Sequence, residues 1–445
     1  MIRKLSIAAC LLFLARTACL AYNLASVDSL LNANLSGIFN DKLVCMVVHN
    51  DSLVYYYHQG ADSTTAGGIA SATKTMSAAL MLRLVQENVI KLDDSIAKFY
   101  PFASALGKGS ITLRNLFAHV SGLEGSSNYN SDNSMSLQVS ADSILTYDAL
   151  AYTPIGTKFK YTGEDQQVAG AAAELAAGTG WDALFAAKIA QPLGLSTTTF
   201  SLTTPTNPRI AGGIRSNASD MLRFGRFVLR NGKNAAGTQV VDSVQMQELW
   251  KDQTHHALQV GSPYPYHAAH NNPYNTDTVY YGVGTWLDIY NPTHQYQEQI
   301  SADGAWGAII WMNRCTNTAG VFMTFPPSLC ARTNPVEFEA MDMFRAIFPS
   351  TCYGGNAITV MHKTEAPLFQ ISLNPVRDKL RLVSGSGVCG ISIFDFAGRK
   401  LKSAAVPQGM VEINIADLPE GVLLIRANDA MGNVLRSDKI VKLGR

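Results

Sequence analysis

Ser71-Ala72-Thr73-Lys74 places a hydroxyl and an amine three positions apart. On a helix, positions i and i+3 share a face, so the amine can reach the hydroxyl. A serine hydroxyl is a poor nucleophile until a base takes its proton. A lysine is such a base only when its pKa falls, and desolvation in a closed cleft lowers it. The chain carries the pattern twice, the second time as Ser95-Ile96-Ala97-Lys98. Context separates the two. Ser71 follows the Gly67-Gly68 turn and opens an amphipathic helix with Met76, Ala79, Leu80 and Leu84 on one face. There the unpaired amides of a helix start favour developing negative charge. Ser95 follows Asp93-Asp94 and runs into Tyr100-Pro101, a helix end at the surface. Ser71 is therefore the candidate nucleophile.

The elements that must hold Ser71 come from distant parts of the chain. Val27 to Phe39 has a helical rhythm. Lys42 to His49 and Leu53 to His58 read as two strands joined at Asn50-Asp51. The middle, to about Gly232, is rich in Ala and Leu and mostly helical. Val279 to Ile289, Ala308 to Met312 and Val321 to Phe325 read as strands, and Phe338 to Ile347 as an amphipathic helix. Strands at both ends with helices between them predict one sheet assembled from distant halves, covered by helices, with a helical insertion. Two loops stand out. Glu124 to Ser136 is rich in Ser and Asn, and Thr254 to Thr278 carries His255, His256, His267 and His270. No acidic or cysteine ligand pattern accompanies the histidines, so no metal is expected and a polar loop lining a cleft is.

Composition narrows the class. The 445 residues carry a formal charge of +1, with 47% hydrophobic and 16% charged residues. This excludes a disordered chain, a collagenous repeat and a coiled coil. It offers no cationic platform for nucleic acid. Arg3 and Lys4, the apolar run Leu5 to Leu14, and Cys19-Leu20-Ala21 form a signal peptide cut near Ala21. Its removal takes Arg3, Lys4 and Arg16, leaving a charge of −2, and takes two of the seven cysteines. The apolar run is too short to span a bilayer, and no later stretch is apolar enough. Export makes disulfides possible. Cys315 and Cys330 flank an expected hairpin around Val321 to Phe325, so they are expected to be bridged. From about Met361 the character shifts to short β-like runs separated by Gly, Pro and Asp turns. They make a separate small sandwich of about 80 residues.

Four stretches together carry a family resemblance: Ile69 to Asp94, Ile111 to Leu123, Pro154 to Leu195 and Arg209 to Phe224. They resemble the serine β-lactamase and penicillin-binding-protein superfamily, in particular its class C-like branch of esterases and D-stereospecific peptidases. The similarity runs over roughly residues 27–348. It implies an α/β fold (αβα sandwich), an antiparallel sheet flanked by helices with a helical subdomain, and Ser71 and Lys74 as the catalytic pair. The family's second motif aligns with Tyr161-Thr162-Gly163. It implies that the Tyr161 phenol works with the lysine as general base and then donates to the leaving group. Gly163 has no side chain to bond a substrate carbonyl. His119 also lies in a family stretch and is read as structural. The third motif, usually a cation, one residue, then Gly, aligns with Ala302-Asp303-Gly304. The cation is missing. Gly304 still lets backbone approach the substrate, and the Ala305 amide pairs with that of Ser71 as an oxyanion hole. Asp303 is either a turn residue or a contact to a cationic substrate group.

The tail also has a resemblance. Asn374-Pro375-Val376, Leu380-Arg381-Leu382, Ile393 to Arg399, Asp417 to Val422 and Lys439 to Lys442 resemble the type IX secretion C-terminal sorting domain. Such tails engage the secretion machinery and are commonly removed. The expected organisation is a signal peptide (1–21), a hydrolase domain (22–350), a linker (351–365) and a sorting domain (366–445). The expected protein is a serine hydrolase acting on an ester or small amide through an acyl-enzyme, with no cofactor, metal, nucleic acid or transmembrane span. It is exported through the periplasm of a Gram-negative bacterium to the cell surface or beyond. The alternatives are a cell-wall D-peptidase or β-lactamase, and a non-catalytic surface protein that kept the fold.

Overall fold

The computed structural model describes residues 22–255, 257–260, 279–291 and 296–352. In the C-terminal region it describes 369–371, 376–384, 388–395, 399–407, 409–428 and 434–443. The signal segment, most of the histidine loop and the expected linker beyond Cys352 lie outside the described residues. The chain forms two compact units that divide between Cys352 and Tyr353.

The larger unit is built on a sheet of six strands among the described residues. These are β1 (Leu43–His49), β2 (Ser52–Gln59), β3 (Trp286–Asn291), β4 (Tyr296–Asp303), β5 (Ile309–Asn313) and β6 (Thr318–Thr324). Their order is β2-β1-β6-β5-β4-β3, and every pair is antiparallel. The N-terminal hairpin thus closes onto the C-terminal strands, as the sequence pattern requires. All seven residues of β1 are buried because both faces are covered. Val44, Met46 and Val48 pack in one core, whereas Leu43, Cys45 and Val47 pack in the other. This is the period-two alternation of a strand. The second core is closed by helices α1 (Ala25–Ile38) and α6 (Cys330–Ile347). The first is closed by α2 (Thr73–Gln86) and α5 (Ala218–Leu229), with α3 (Leu137–Tyr147) and α4 (Glu164–Ala177) in the helical part.

Two expectations about the strands change. The run expected from Val279 becomes a strand only at Trp286. Before it, Gly284 takes φ +74° and its carbonyl accepts the Thr75 hydroxyl at 2.7 Å, so the backbone turns to meet α2. Strand β4 was not visible in the periodicity, because its buried residues include Gln297, Glu298, Gln299, Ser301 and Asp303. Its polar groups are paired inside the fold: Ser301 donates to Asp288 at 2.9 Å, and Arg345 to Glu298 at 2.5 Å.

The expected Cys315–Cys330 bridge is also corrected. Cys315 is bonded to Cys352, with Cα atoms 5.0 Å apart. Between Cys315 and Cys330 lies the single strand β6, not a hairpin. Seven extended residues span about 20 Å, and beyond them the Cys330 amide is bonded to the Ala305 carbonyl at the β4–β5 turn, so the two cysteines sit towards opposite ends of the sheet. The end of α6 instead returns to Cys315, where the Thr351 amide donates to the Cys315 carbonyl at 2.7 Å. The disulfide joins residues 37 apart in the chain. Cys352→Ser is therefore expected to lower unfolding stability by about 3 kcal/mol. A denaturant midpoint unchanged from wild type would contradict that expectation.

Among its described residues the smaller unit has strands and no helix. It has β7 (Phe369–Ile371), β8 (Lys379–Ser384), β9 (Gly390–Phe394), β10 (Lys400–Ala405), β11 (Gly409–Asn414), β12 (Gly421–Asn428) and β13 (Val434–Lys442). They form antiparallel sheets β7-β8-β11 and β10-β9-β12-β13 around Leu380, Leu382, Ile391, Ile393, Ile425 and Ile440.

Candidate active site

Helix α2 is buried along ten consecutive residues, Thr73 to Leu82. A helix with no polar face is a central element, and its hydroxyls need internal partners. Ser77 donates to the Ile210 carbonyl at 2.7 Å, and Thr73 accepts the Ile214 amide at 3.2 Å. These bonds draw the segment from Arg209 to Ile214 against the start of α2. Ser71 does not itself open the α-helix, which begins two residues later at Thr73. It sits in a 3₁₀ turn, Ala70–Ala72, ahead of Thr73. The preceding Ala70 takes φ +44°, a left-handed conformation that costs a non-glycine residue energy. The Ile69 amide, bonded to the Ile214 carbonyl at 3.0 Å, holds the turn in place.

Lys74 Nζ lies 3.0 Å from Ser71 Oγ and 3.1 Å from the Ala211 carbonyl oxygen. The lysine is only 2% exposed. Burial is the main reason its pKa falls from 10.5 to about 7, and the Arg209 cation pushes the same way. Glu164, Asp303 and Asp165 oppose the fall. Near neutrality a large share of the amine is unprotonated. Its nitrogen can then accept the Ser71 proton while an N–H holds Ala211. If Lys74 is the base, kcat/KM should rise with pH through about 7 and level off above it, because only the free amine takes a proton. A profile flat from acid to neutral pH would contradict this. The other Ser-x-x-Lys pattern is different. Lys98 is half exposed and pairs with Asp94 at 2.8 Å, and Ser95 precedes a short 3₁₀ turn.

Tyr161 enters the site just before α4. Its ring stacks on Trp286 with centroids 5.3 Å apart, and Lys74 Nζ lies 4.5 Å from its centroid. Behind it His119 is fully buried, with Nδ1 3.1 Å from Asp165 Oδ2. Burial drives the His119 pKa well down and the Asp165 pKa well up. Ser121 donates to the other Asp165 oxygen at 2.5 Å. This network does not line the cavity. At Gly163, a Cβ would meet Asn130 Nδ2 at 2.7 Å. The Ser- and Asn-rich loop thus puts the Asn130 amide where a side chain at 163 would stand.

The opposite wall is the turn between β4 and β5. The Gly307 amide donates to the Gly304 carbonyl at 2.8 Å, which sets Ala305 and Trp306 at the tip. The Ala305 carbonyl accepts the Cys330 amide at 2.9 Å. Gly304 packs directly on the nucleophile's turn. A Cβ there would collide with the Ile69 carbonyl oxygen and lie 3.1 Å from the Ala70 Cβ. Asp303 is 1% exposed on β4, and its Oδ2 accepts from Asn334 at 3.0 Å. It does not reach the cavity lining, and neither does Gly304.

The cavity measures about 390 Å³ and brings together Ser71, Lys74, Tyr161, Gly163 and Ala305. It also gathers residues that the sequence did not single out: Asn128, Asn130, Glu164, Arg209 and Trp306. Two signals were present. Arg209 begins a matched stretch, and Glu164 follows the tyrosine motif directly. Among the described residues, no group of three or more His, Cys, Asp or Glu could hold a metal ion. Nor is any described helix long and apolar enough to cross a membrane.

The β-lactamase family model matches residues 42–325, and that of the secretion system C-terminal sorting domain matches residues 374–442. No curated protein matches. Among solved structures, one from Bacteroides dorei DSM 17855, provisionally titled a β-lactamase, is 26% identical with a TM-score of 0.65. The match covers 72% of this chain and 98% of that one. EstCE1, a hydrolase with promiscuous acyltransferase activity, is 18% identical with a TM-score of 0.57, covering 71% and 98%. The D-amino acid amidase of Ochrobactrum anthropi SV3 is 18% identical with a TM-score of 0.54, covering 72% and 99%.

Proposed function

We propose, for a chain that belongs to the β-lactamase family, that it is an exported serine hydrolase forming its acyl-enzyme on Ser71. The observation that carries this reading is the 3.0 Å contact between Ser71 Oγ and a desolvated Lys74 amine inside an open cavity. Lys74 takes the serine proton as Oγ attacks a substrate carbonyl. The tetrahedral oxyanion rests on the Ser71 and Ala305 amides. Tyr161 gives its proton to the leaving group and regains one from the Lys74 ammonium; water then attacks the acyl carbonyl, Lys74 takes a water proton, and Ser71 leaves and recovers that proton.

The substrate is an ester or a small amide. Ala302 stands where the family's cation holds a β-lactam or peptide carboxylate, so β-lactam turnover is expected to be slow. The sorting tail directs the hydrolase to the cell surface or beyond. A panel of p-nitrophenyl esters and anilides beside nitrocefin tests the reading. Ester hydrolysis that disappears in Ser71→Ala, with slow nitrocefin turnover, is the expected result. Rapid nitrocefin turnover would overturn the substrate preference. Hydrolysis unchanged in Ser71→Ala would overturn the mechanism.

A further inference from the structure

We infer that Arg209 anchors a carboxylate on the substrate, from a wall other than the strand that carries Ala302 and so at a different place from the family's cation. The inference deepens the serine hydrolase reading and rests on it. Arg209 is exposed and lines the same cavity as Ser71. Other arginines of this unit are engaged. Arg114 and Arg345, for example, pair with carboxylates, and Arg215 and Arg332 donate to backbone carbonyls. Among the described residues, the Arg209 guanidinium has no ion-pair or hydrogen-bond partner.

Its backbone is nevertheless fixed. The Arg209 amide donates to Thr203 Oγ1 at 3.1 Å, and its carbonyl accepts the Gly213 amide at 2.7 Å. The next residue, Ile210, is held by Gln167 at 3.0 Å and Ser77 at 2.7 Å. Only Gly212 separates the side chain from the nucleophile's turn. A Cβ on Gly212 would lie 3.7 Å from Arg209 Nε and 3.7 Å from the Ala70 carbonyl carbon. A fixed stem, an unpaired head and a short path to Ser71 describe a side chain that waits for a ligand.

The charge pattern selects an anion. The acid among the described residues of the cavity wall, Glu164, is 3% exposed and accepts the Gly163 amide at 3.1 Å and the Ser127 hydroxyl at 3.4 Å. Its hydrogen bonds are made within the protein, and Arg209 acts on it through space without a direct ion pair. A guanidinium keeps its charge at any working pH and presents parallel N–H groups that match a carboxylate. The substrate class is therefore an ester or amide that bears a free carboxylate, either on the acyl group or on the leaving group.

Two substrate pairs separate these placements. Mono-p-nitrophenyl adipate is compared with p-nitrophenyl hexanoate, and 4-acetoxybenzoate with its methyl ester. The quantity read is the ratio of kcat/KM values within each pair. In at least one pair the wild-type ratio should exceed that of Arg209→Gln by about tenfold. Arg209→Lys should retain part of the preference, and high salt should weaken it. Ratios agreeing within about twofold between wild type and Arg209→Gln in both pairs would overturn the inference. Binding of adipate and 4-hydroxybenzoate to Ser71→Ala, followed by tryptophan fluorescence, reads the anchor without chemistry. Loss of affinity there on adding Arg209→Gln supports the anchor even if hydrolysis fails, and no change for either ligand overturns it.

Discussion

Lys74→Met should lose about a thousandfold or more in kcat/KM and, at neutral pH, gain stability on the order of 3 kcal/mol. The two effects have one cause. The amine is buried beside Ser71, and burial with the Arg209 cation brings its pKa from 10.5 to about 7. In the unfolded chain the lysine stays protonated up to its ordinary pKa. Between pH 7 and 10.5 the unfolded state therefore binds the extra proton, and stability rises with pH across that window. Below about pH 7 the wild type bears the full penalty of a buried ammonium. Methionine fills similar space without it, although it gives up the contacts to Ser71 and the Ala211 carbonyl. Denaturant unfolding of both proteins from pH 6 to 10 checks the sign. The gap should narrow as pH rises. A variant that is both active and no more stable would remove Lys74 from the mechanism.

Gly304→Ala should reduce kcat by about a hundredfold, with a smaller change in KM. The added methyl cannot fit against the Ile69 carbonyl, which is backbone and cannot rotate away. The turn carrying Ala305 must then withdraw from the turn carrying Ser71. An oxyanion hole works only when both amides lie about 2.7–3.1 Å from one oxygen, so a shift of an ångström removes much of its effect. Overpacking should also cost about 1–3 kcal/mol of stability. Activity is to be measured at a temperature where the variant remains folded. A folded variant with wild-type kcat would show that the Ala305 amide does not hold the oxyanion.

What the sequence made legible follows from where local chemistry and tertiary chemistry coincide. Ser71 and Lys74 were visible because three residues on a turn-to-helix segment fix their distance. Strands β1, β5 and β6 were visible because apolar side chains cover both faces. Strand β4 was hidden by its polar residues, which are satisfied only by partners such as Asp288, Asn313 and Arg345 from other elements. The partner of Cys315 was hidden because the return of α6 is a long-range fact, as is the bond from the Cys330 amide to the Ala305 carbonyl at the other end of the sheet. Arg209 and Asn130 were hidden for the same reason. Their neighbours along the chain mark a matched stretch and a Ser- and Asn-rich loop, but not that α2 and that loop bring the two residues to one cavity.

The central claim is that Ser71 is the activated nucleophile. The most direct measurement is covalent labelling by a fluorophosphonate, read as intact mass and then by peptide mapping. Wild type should gain one adduct on the peptide containing Ser71, Ser71→Ala should gain none, and Lys74→Met should label far more slowly. Equal labelling of wild type and Ser71→Ala, or an adduct mapped to Ser95, would contradict the claim.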